Sequence, residues 1–268
     1  MKKLIALFLS LFLMAGAVTA MAETAATEAP KTEMTAEELY KAGEDAFFAE
    51  DYVKAMEYYL LAAEAGNAEG WRSAGYLYDM GLGVEQDFGK ALEYYQRAAD
   101  QGDAKALFNI ASMYSDGDGV EQDFGKAIEY YLKAANLGDA EAFFNLGVMY
   151  HYAEGVEQDF GKALEYYLKA ADLGEDYAYV GLGSLYCGGK GVEQDYAKAV
   201  EYFTLAAEKN VPDAMFALGD LCYEGKGLEK DLAKAAEWYR KALDAGYEPE
   251  EEDQARLKEV LGDGYAQN

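Results

Sequence analysis

The chain has 268 residues, 50 of them acidic and 23 basic, for a formal net charge of −27. That balance excludes a nucleic-acid binder, which needs clustered Lys and Arg to neutralise phosphates, and leaves basic peptides, basic protein surfaces and cations as the partners electrostatics favours. Acids spread over a long surface also keep a chain soluble and monomeric.

Residues 1–22 begin with Lys2 and Lys3, run apolar from Leu4 to Val18 and close on Ala20-Met21-Ala22, the three-part pattern of a secretory signal peptide. The apolar run falls short of the about 20 residues a bilayer span needs, so cleavage after Ala22 is predicted rather than anchoring. No Cys lies near that point to carry a lipid. The mature chain is therefore expected in the periplasm or medium, with no stable membrane anchor. Residues 23–34 read as a polar leader broken by Pro30. Thr35 and Glu38 then have capping-box spacing, which predicts a helix over Ala36–Phe48.

From Gly83 the string GVEQDFGKALEYY returns with small changes at Gly119, Gly155, Gly191 and Gly227, each 36 residues after the last. A fixed period of that size predicts stacked repeats, each too small to bury its apolar face alone. The units run 67–102, 103–138, 139–174, 175–210 and 211–246. Two helices alternate in each. In the first, Leu107, Ile110, Ala111 and Tyr114 show the pattern, sharing one face. The second starts at an Asp cap (Asp87, Asp123, Asp159, Asp195, Asp231) and most stop at a glycine (Gly66, Gly102, Gly138, Gly174, Gly246). Asn210 followed by Pro212 gives the same punctuation once.

A small residue (Gly75, Ala111, Gly147, Gly183, Gly219) sits mid-way in each first helix, where glycine is unfavourable unless another helix packs close. Between the helices lies a glycine loop, Gly81-Leu82-Gly83 and its equivalents, followed by a Val or Leu expected to plug the space beneath it. One copy has Ala153 in place of the first glycine, so its loop is either strained or reshaped. Residues 247–268 read as a closing segment, with an amphipathic helix over Glu248–Leu261 covering the last unit.

The string L/I-G/A-x-L/M-Y, then GxGV, Asp, KA and EYYxxAA, is similar to the Sel1-like repeat family, relatives of the tetratricopeptide repeats. The opening unit, 35–66, lacks the glycine loop and resembles a tetratricopeptide unit. The resemblance implies an all-α, right-handed superhelical solenoid of antiparallel helix pairs whose first helices line a concave surface that binds proteins or peptides. It also implies which positions face that groove: six and three before the small residue, and one, four and five after it. Three before lie Arg72, Phe108, Phe144, Val180 and Phe216, and one after it Tyr76, Ser112, Val148, Ser184 and Asp220. Four after it lie Asp79, Ser115, His151, Cys187 and Tyr223.

Catalytic signatures are missing from the sequence. No Ser has a Lys three residues on, as a serine β-lactamase requires. Some Sel1-like proteins are linked to penicillin binding or β-lactamase activity; these are cysteine-rich, with cysteine pairs inside each repeat, a pattern not found here. The glycine loops lack the Lys and Ser/Thr of a phosphate cradle. Asp116-Gly117-Asp118-Gly119 has the start of a calcium loop, but its twelfth position is Ala127 rather than Glu. His151, the lone histidine, reads as an exposed helix-end residue and not a zinc ligand. Cys187 and Cys222 form a candidate disulfide, weighed against stacked helices about 8–10 Å apart and a bridged Cα separation limited to about 7 Å; Cys222 aligns with core tyrosines. The sequence thus points to an exported, non-catalytic adaptor without cofactor. The alternative is a cell-wall or β-lactam-interacting protein with weak hydrolytic activity.

Overall fold

Thirteen helices and no strands make up the described residues of the computed structural model, which are 34–262 and 265. The expected signal peptide, and the expected leader up to residue 33, lie outside them. Helices α1 (Ala36–Phe48) and α2 (Tyr52–Glu64) form the opening pair. Five pairs follow: α3 (Ala68–Met80) with α4 (Phe88–Ala99), α5 (Ala104–Asp116) with α6 (Phe124–Asn136), α7 (Ala140–Tyr152) with α8 (Phe160–Asp172), α9 (Tyr177–Gly188) with α10 (Tyr196–Glu208), and α11 (Pro212–Glu224) with α12 (Leu232–Asp244). Helix α13 (Glu251–Leu261) closes the array. Each helix packs mainly on its neighbours in sequence, as in a solenoid.

The local signals explain the boundaries. Asp87, Asp123, Asp159, Asp195 and Asp231 each accept the backbone N–H three residues on, satisfying one orphan donor of the second helix. Thr35 and Glu38 close a full capping box. The five stop glycines have φ between 88° and 98°, and Asn210 takes φ 64° in the same role. One first helix starts late. Asp103 and Asp139 cap α5 and α7 by accepting from Ala106 and Ala142 at 2.8 Å, but the equivalent residue before α9 is Glu175. Its longer arm accepts from Tyr177 N instead, at 3.1 Å, while Asp176 makes no side-chain cap bond, and the helix begins only at Tyr177.

The small mid-helix residues have a specific neighbour. A tyrosine or phenylalanine of the second helix, 20 residues later, runs beneath each glycine: a Cβ at Gly147 would lie 2.6 Å from the Tyr167 ring, and one at Gly219 2.5 Å from Tyr239. Gly75 over Tyr95 and Gly183 over Phe203 repeat the arrangement, and so does Gly43 over Tyr59 in the opening pair, where the missing glycine loop shortens the separation to 16 residues. Successive units join where the second loop glycine, such as Gly119 at φ 69°, presses on the first residue of the preceding second helix, here Phe88. The next residue, Val84, Val120, Val156, Val192 or Leu228, is half-buried against the core, as expected of a plug. Ala153 keeps the left-handed conformation of its glycine equivalents, φ 63° and ψ 35°, so that loop is strained rather than reshaped.

The closing helix is shorter than expected, starting at Glu251 instead of Glu248. Pro249 disfavours helical backbone at the residue before it, and Glu250 becomes the cap, in a reciprocal box with Asp253. Leu257 is fully buried in the last core cluster, and Tyr247 stacks on Phe216 with ring centroids 4.2 Å apart.

Candidate functional site

The first helices form the inner row of the array. Helices α7 and α9 touch directly, and equivalent positions of α11 and α13 are bonded: Asp220 to Arg256, and Tyr223 Oη to Glu259 at 2.7 Å. The second helices turn exposed acid–base pairs outward, Glu93 with Arg97, Glu129 with Lys133 and Glu165 with Lys169, each worth little in solvent.

The residues expected on the inner face fall into three groups. Several are packing. Phe108 and Phe144 are half-buried against Tyr131 and Tyr167, centroids 5.5 and 5.8 Å apart; Val148 and Val180 are half-buried against the core; Phe216 is buried between Tyr239 and Tyr247. Others bond to the ring that threads beneath the helix. Asp79 accepts from Tyr95 Oη at 3.0 Å, Ser112 Oγ lies 3.1 Å from Tyr131 Oη, and Asp220 accepts from Tyr239 Oη at 2.7 Å. Arg72 is held by Asp103, with Nε 3.0 Å from Oδ2. Of the residues named for the positions three before, one after and four after the small residue, Tyr76 alone is exposed, and Asp220 and Tyr223 are engaged by α13.

His151 corrects the sequence reading, for it is only 2 % exposed. Tyr152 stacks on its ring at 4.4 Å and Phe160 meets it edge-on. Nε2 lies 3.4 Å from Lys190 Nζ and Nδ1 lies 3.4 Å from Tyr167 Oη. An ammonium can only donate, so Nε2 accepts and Nδ1 carries the proton of a neutral ring. Burial first, and the Lys190 charge second, hold its pKa below the ordinary value. Apart from Tyr152, the cover comes from outside its own helix, from Phe160 and Tyr167 of α8 and Lys190 of the next loop, which is why a helix-end position misled.

Both cysteine thiols are free. Cys222 is buried in the core as its alignment implied, whereas Cys187 occupies the next position round its helix. Successive helical residues point about 100° apart, so the two thiols face different sides and do not pair. Burial pushes both thiol pKa values up, away from reactivity.

Sequence reasoning missed the tyrosine hydroxyls, although their fixed distance from the small residue was a readable signal. It also missed the loop tips. The middle loop residue approaches the side chain 39 positions earlier, so Asp118 faces Asp79, Lys190 faces His151 and Lys226 faces Cys187. Across the first three pairs of helices a cleft of about 330 Å³ is lined by Glu44, Phe47, Phe48, Tyr59, Arg72, Ser73, Tyr76 and Asn109. Phe47 and Phe48 stand four and five positions after Gly43, where the repeat rule puts groove residues. Among the described residues no group of three His, Cys, Asp or Glu is placed to hold a metal, and no helix is long and apolar enough to cross a membrane.

Known proteins place the architecture. The Sel1 repeat model matches residues 35–67, 72–103, 104–139, 140–175, 176–211 and 212–247. The crystal structure of a Sel1 repeat protein from Oxalobacter formigenes is 32% identical, with 83% of this chain and 92% of that one covered and a TM-score of 0.72. A protective antigen of uropathogenic Escherichia coli displaying an SLR fold is 28% identical over 86% of this chain, with a TM-score of 0.73; the match spans 50% of that protein's length. An immunity protein from Pseudomonas aeruginosa is 25% identical, with 81% of this chain and 84% of that one covered and a TM-score of 0.53. No curated protein matches the chain. The six matched segments follow the six helix pairs and take in most of the sequence, and the chain belongs to the Sel1 repeat family.

Proposed function

We propose that the chain is an exported, non-catalytic adaptor that holds a protein or peptide partner along the inner face of its first helices. The observation that carries this reading is a set of large apolar side chains left in water at the repeat's groove positions. Phe48 is 80 % exposed and Tyr152 is 62 % exposed, and Tyr76, Met80 and Tyr177 are exposed with them. Apolar side chains that recur in water at the same register positions of the first helices support an interaction site on that face. The acidic balance of the chain favours a basic partner. The chemistry of the face supports holding rather than turnover. Its histidine is enclosed by Tyr167 and Lys190, and Cys187 is kept protonated by burial.

Pull-down with the mature chain tests the reading. Replacing Phe48 and Met80 with Ala is expected to reduce partner capture with an unchanged melt, because both side chains stand mostly in water; capture retained by the double variant overturns the groove. A chromogenic β-lactam assay tests the non-catalytic part, and turnover above a heat-denatured control would favour the hydrolytic alternative. Export predicts a mature N-terminus at Glu23, read by N-terminal sequencing of the released protein.

A further inference from the structure

The joint between the units 139–174 and 175–210 is built differently from the one that follows it. Lys226, on the later loop tip, is drawn to Glu224 on its own chain at 2.7 Å. Lys190, at the same register one unit earlier, has no carboxylate there, because Gly188 stands where Glu224 does; a Cβ at Gly188 would lie 3.2 Å from Lys190 Cγ. The lysine folds back instead over the preceding unit, its Nζ 3.4 Å from His151 Nε2 and 5.6 Å from the centre of the Phe160 ring. Gly191 rests on Phe160 in the same place. His151, Gly188 and Lys190 thus make one contact across a joint, and with a single histidine in the chain the array has it once.

Three elements face the imidazole. Tyr152 of its own helix stacks on it, Phe160 and Tyr167 approach from α8, and Lys190 comes from the loop after α9. Glu154, on the loop that follows α7, acts on the Tyr167 hydroxyl, and among the described contacts of the ring itself there is no carboxylate. A proton on Nε2 would therefore set an imidazolium and an ammonium 3.4 Å apart, at a side chain only 2 % open to water, with no anion between them. Something must move. Tyr167 is fixed in the core and Phe160 packs beside it, whereas Lys190 is exposed over much of its length. The movable cover is the loop tip.

We infer that His151 and Lys190 form a proton-operated latch: the neutral ring accepts from Lys190 and holds the 189–191 loop on the preceding unit, and protonation of the ring expels Lys190 and frees that joint while the others stay closed. Tyr152, stacked on the same ring, carries the change to the inner face. Burial first and Lys190 second lower the pKa of the ring in the closed joint. Opening restores the ordinary value, so the latch is shut above that value and is lost as pH falls towards the closed one.

Hydrogen exchange in the tag-free mature chain reads this joint against a control in the same molecule. The Lys190 and Lys226 amides both sit in Gly-Lys-Gly and both donate to the leucine five residues earlier at 3.0 Å, so their chemical exchange rates match at any pH. Between about pH 7 and pH 5 the Lys190 amide is expected to exchange severalfold faster relative to Lys226, and more so at low salt. His151→Gln, which keeps an acceptor oxygen but takes up no proton, should hold the ratio constant. The single histidine also gives a single imidazole titration by NMR, expected below the ordinary value in wild type and shifted upward in Lys190→Met. A ratio that does not change with pH, an equal loss of protection in both loops, a change that survives His151→Gln, or an imidazole titration that Lys190→Met leaves in place each overturns the latch.

Discussion

Enclosing a neutral His151 between Tyr167 and Lys190 ties part of the fold's stability to pH. Its folded pKa lies below the ordinary 6.5, so the unfolded chain takes up a proton first as pH falls. The stabilisation is complete above the unfolded value and is lost as pH drops towards the folded one. Melts of wild type and His151→Gln compared between about pH 7 and pH 5 should show the steeper loss in wild type. Asp79, Asp139 and Glu175 act in the opposite sense, their pKa values raised chiefly by burial, and are common to both proteins. At Ala153, replacing Ala with Gly relieves a left-handed Cβ and should stabilise by about 1 kcal/mol, seen as a higher Tm. Gly147→Leu should do the reverse, overpacking against Tyr167 by about 1–3 kcal/mol in chemical denaturation. The need for small residues was legible from their mid-helix placement. The burial of His151 was not, because much of its cover comes from Phe160 and Tyr167 of the following helix and from a loop 39 residues away.

Helices in this array are bounded by single side chains, and the boundaries can be moved. The helix start at Ala36 and the Asp caps could be read before any coordinates, since a cap needs only its own next turn. Helix α9 departs because Glu175 stands where Asp103 and Asp139 cap their helices. Glu175→Asp should restore a direct cap and raise stability by up to about 1 kcal/mol in denaturant titration, whereas Asp176→Ala, which removes no cap bond, should be nearly neutral. Asp159→Ala, which removes a working cap, should cost about 1 kcal/mol. The late start of α13 shows the limit of amphipathic pattern alone: the apolar spacing extends back to Glu248, but Pro249 decides where helical backbone can begin.

At the scale of the whole molecule stability passes from unit to unit, so the closing helix protects more than itself. Leu257→Ala, at a fully buried site, should cost about 2–5 kcal/mol and speed hydrogen exchange in α11 to α13 well before α3 or α5. The sequence showed that this helix covers an apolar end, but not that it would engage Asp220 and Tyr223 of the groove, because that depends on how α13 is docked. The joints between units have a separate consequence. Each second loop glycine rests on the first residue of the preceding second helix, Gly119 on Phe88, Gly155 on Phe124, Gly191 on Phe160. Excising residues 124–159 fuses Asp123 to Phe160 and leaves Gly119 on Phe88 and Gly191 on Phe160, with no new kind of joint. The two ends of the molecule, the opening cleft lined by Phe47, Phe48 and Tyr76 and the closing helix α13, would keep their chemistry and draw together by one step. The array is in that sense a measuring rod graduated every 36 residues, and a partner that touches both ends would feel its length only in whole divisions.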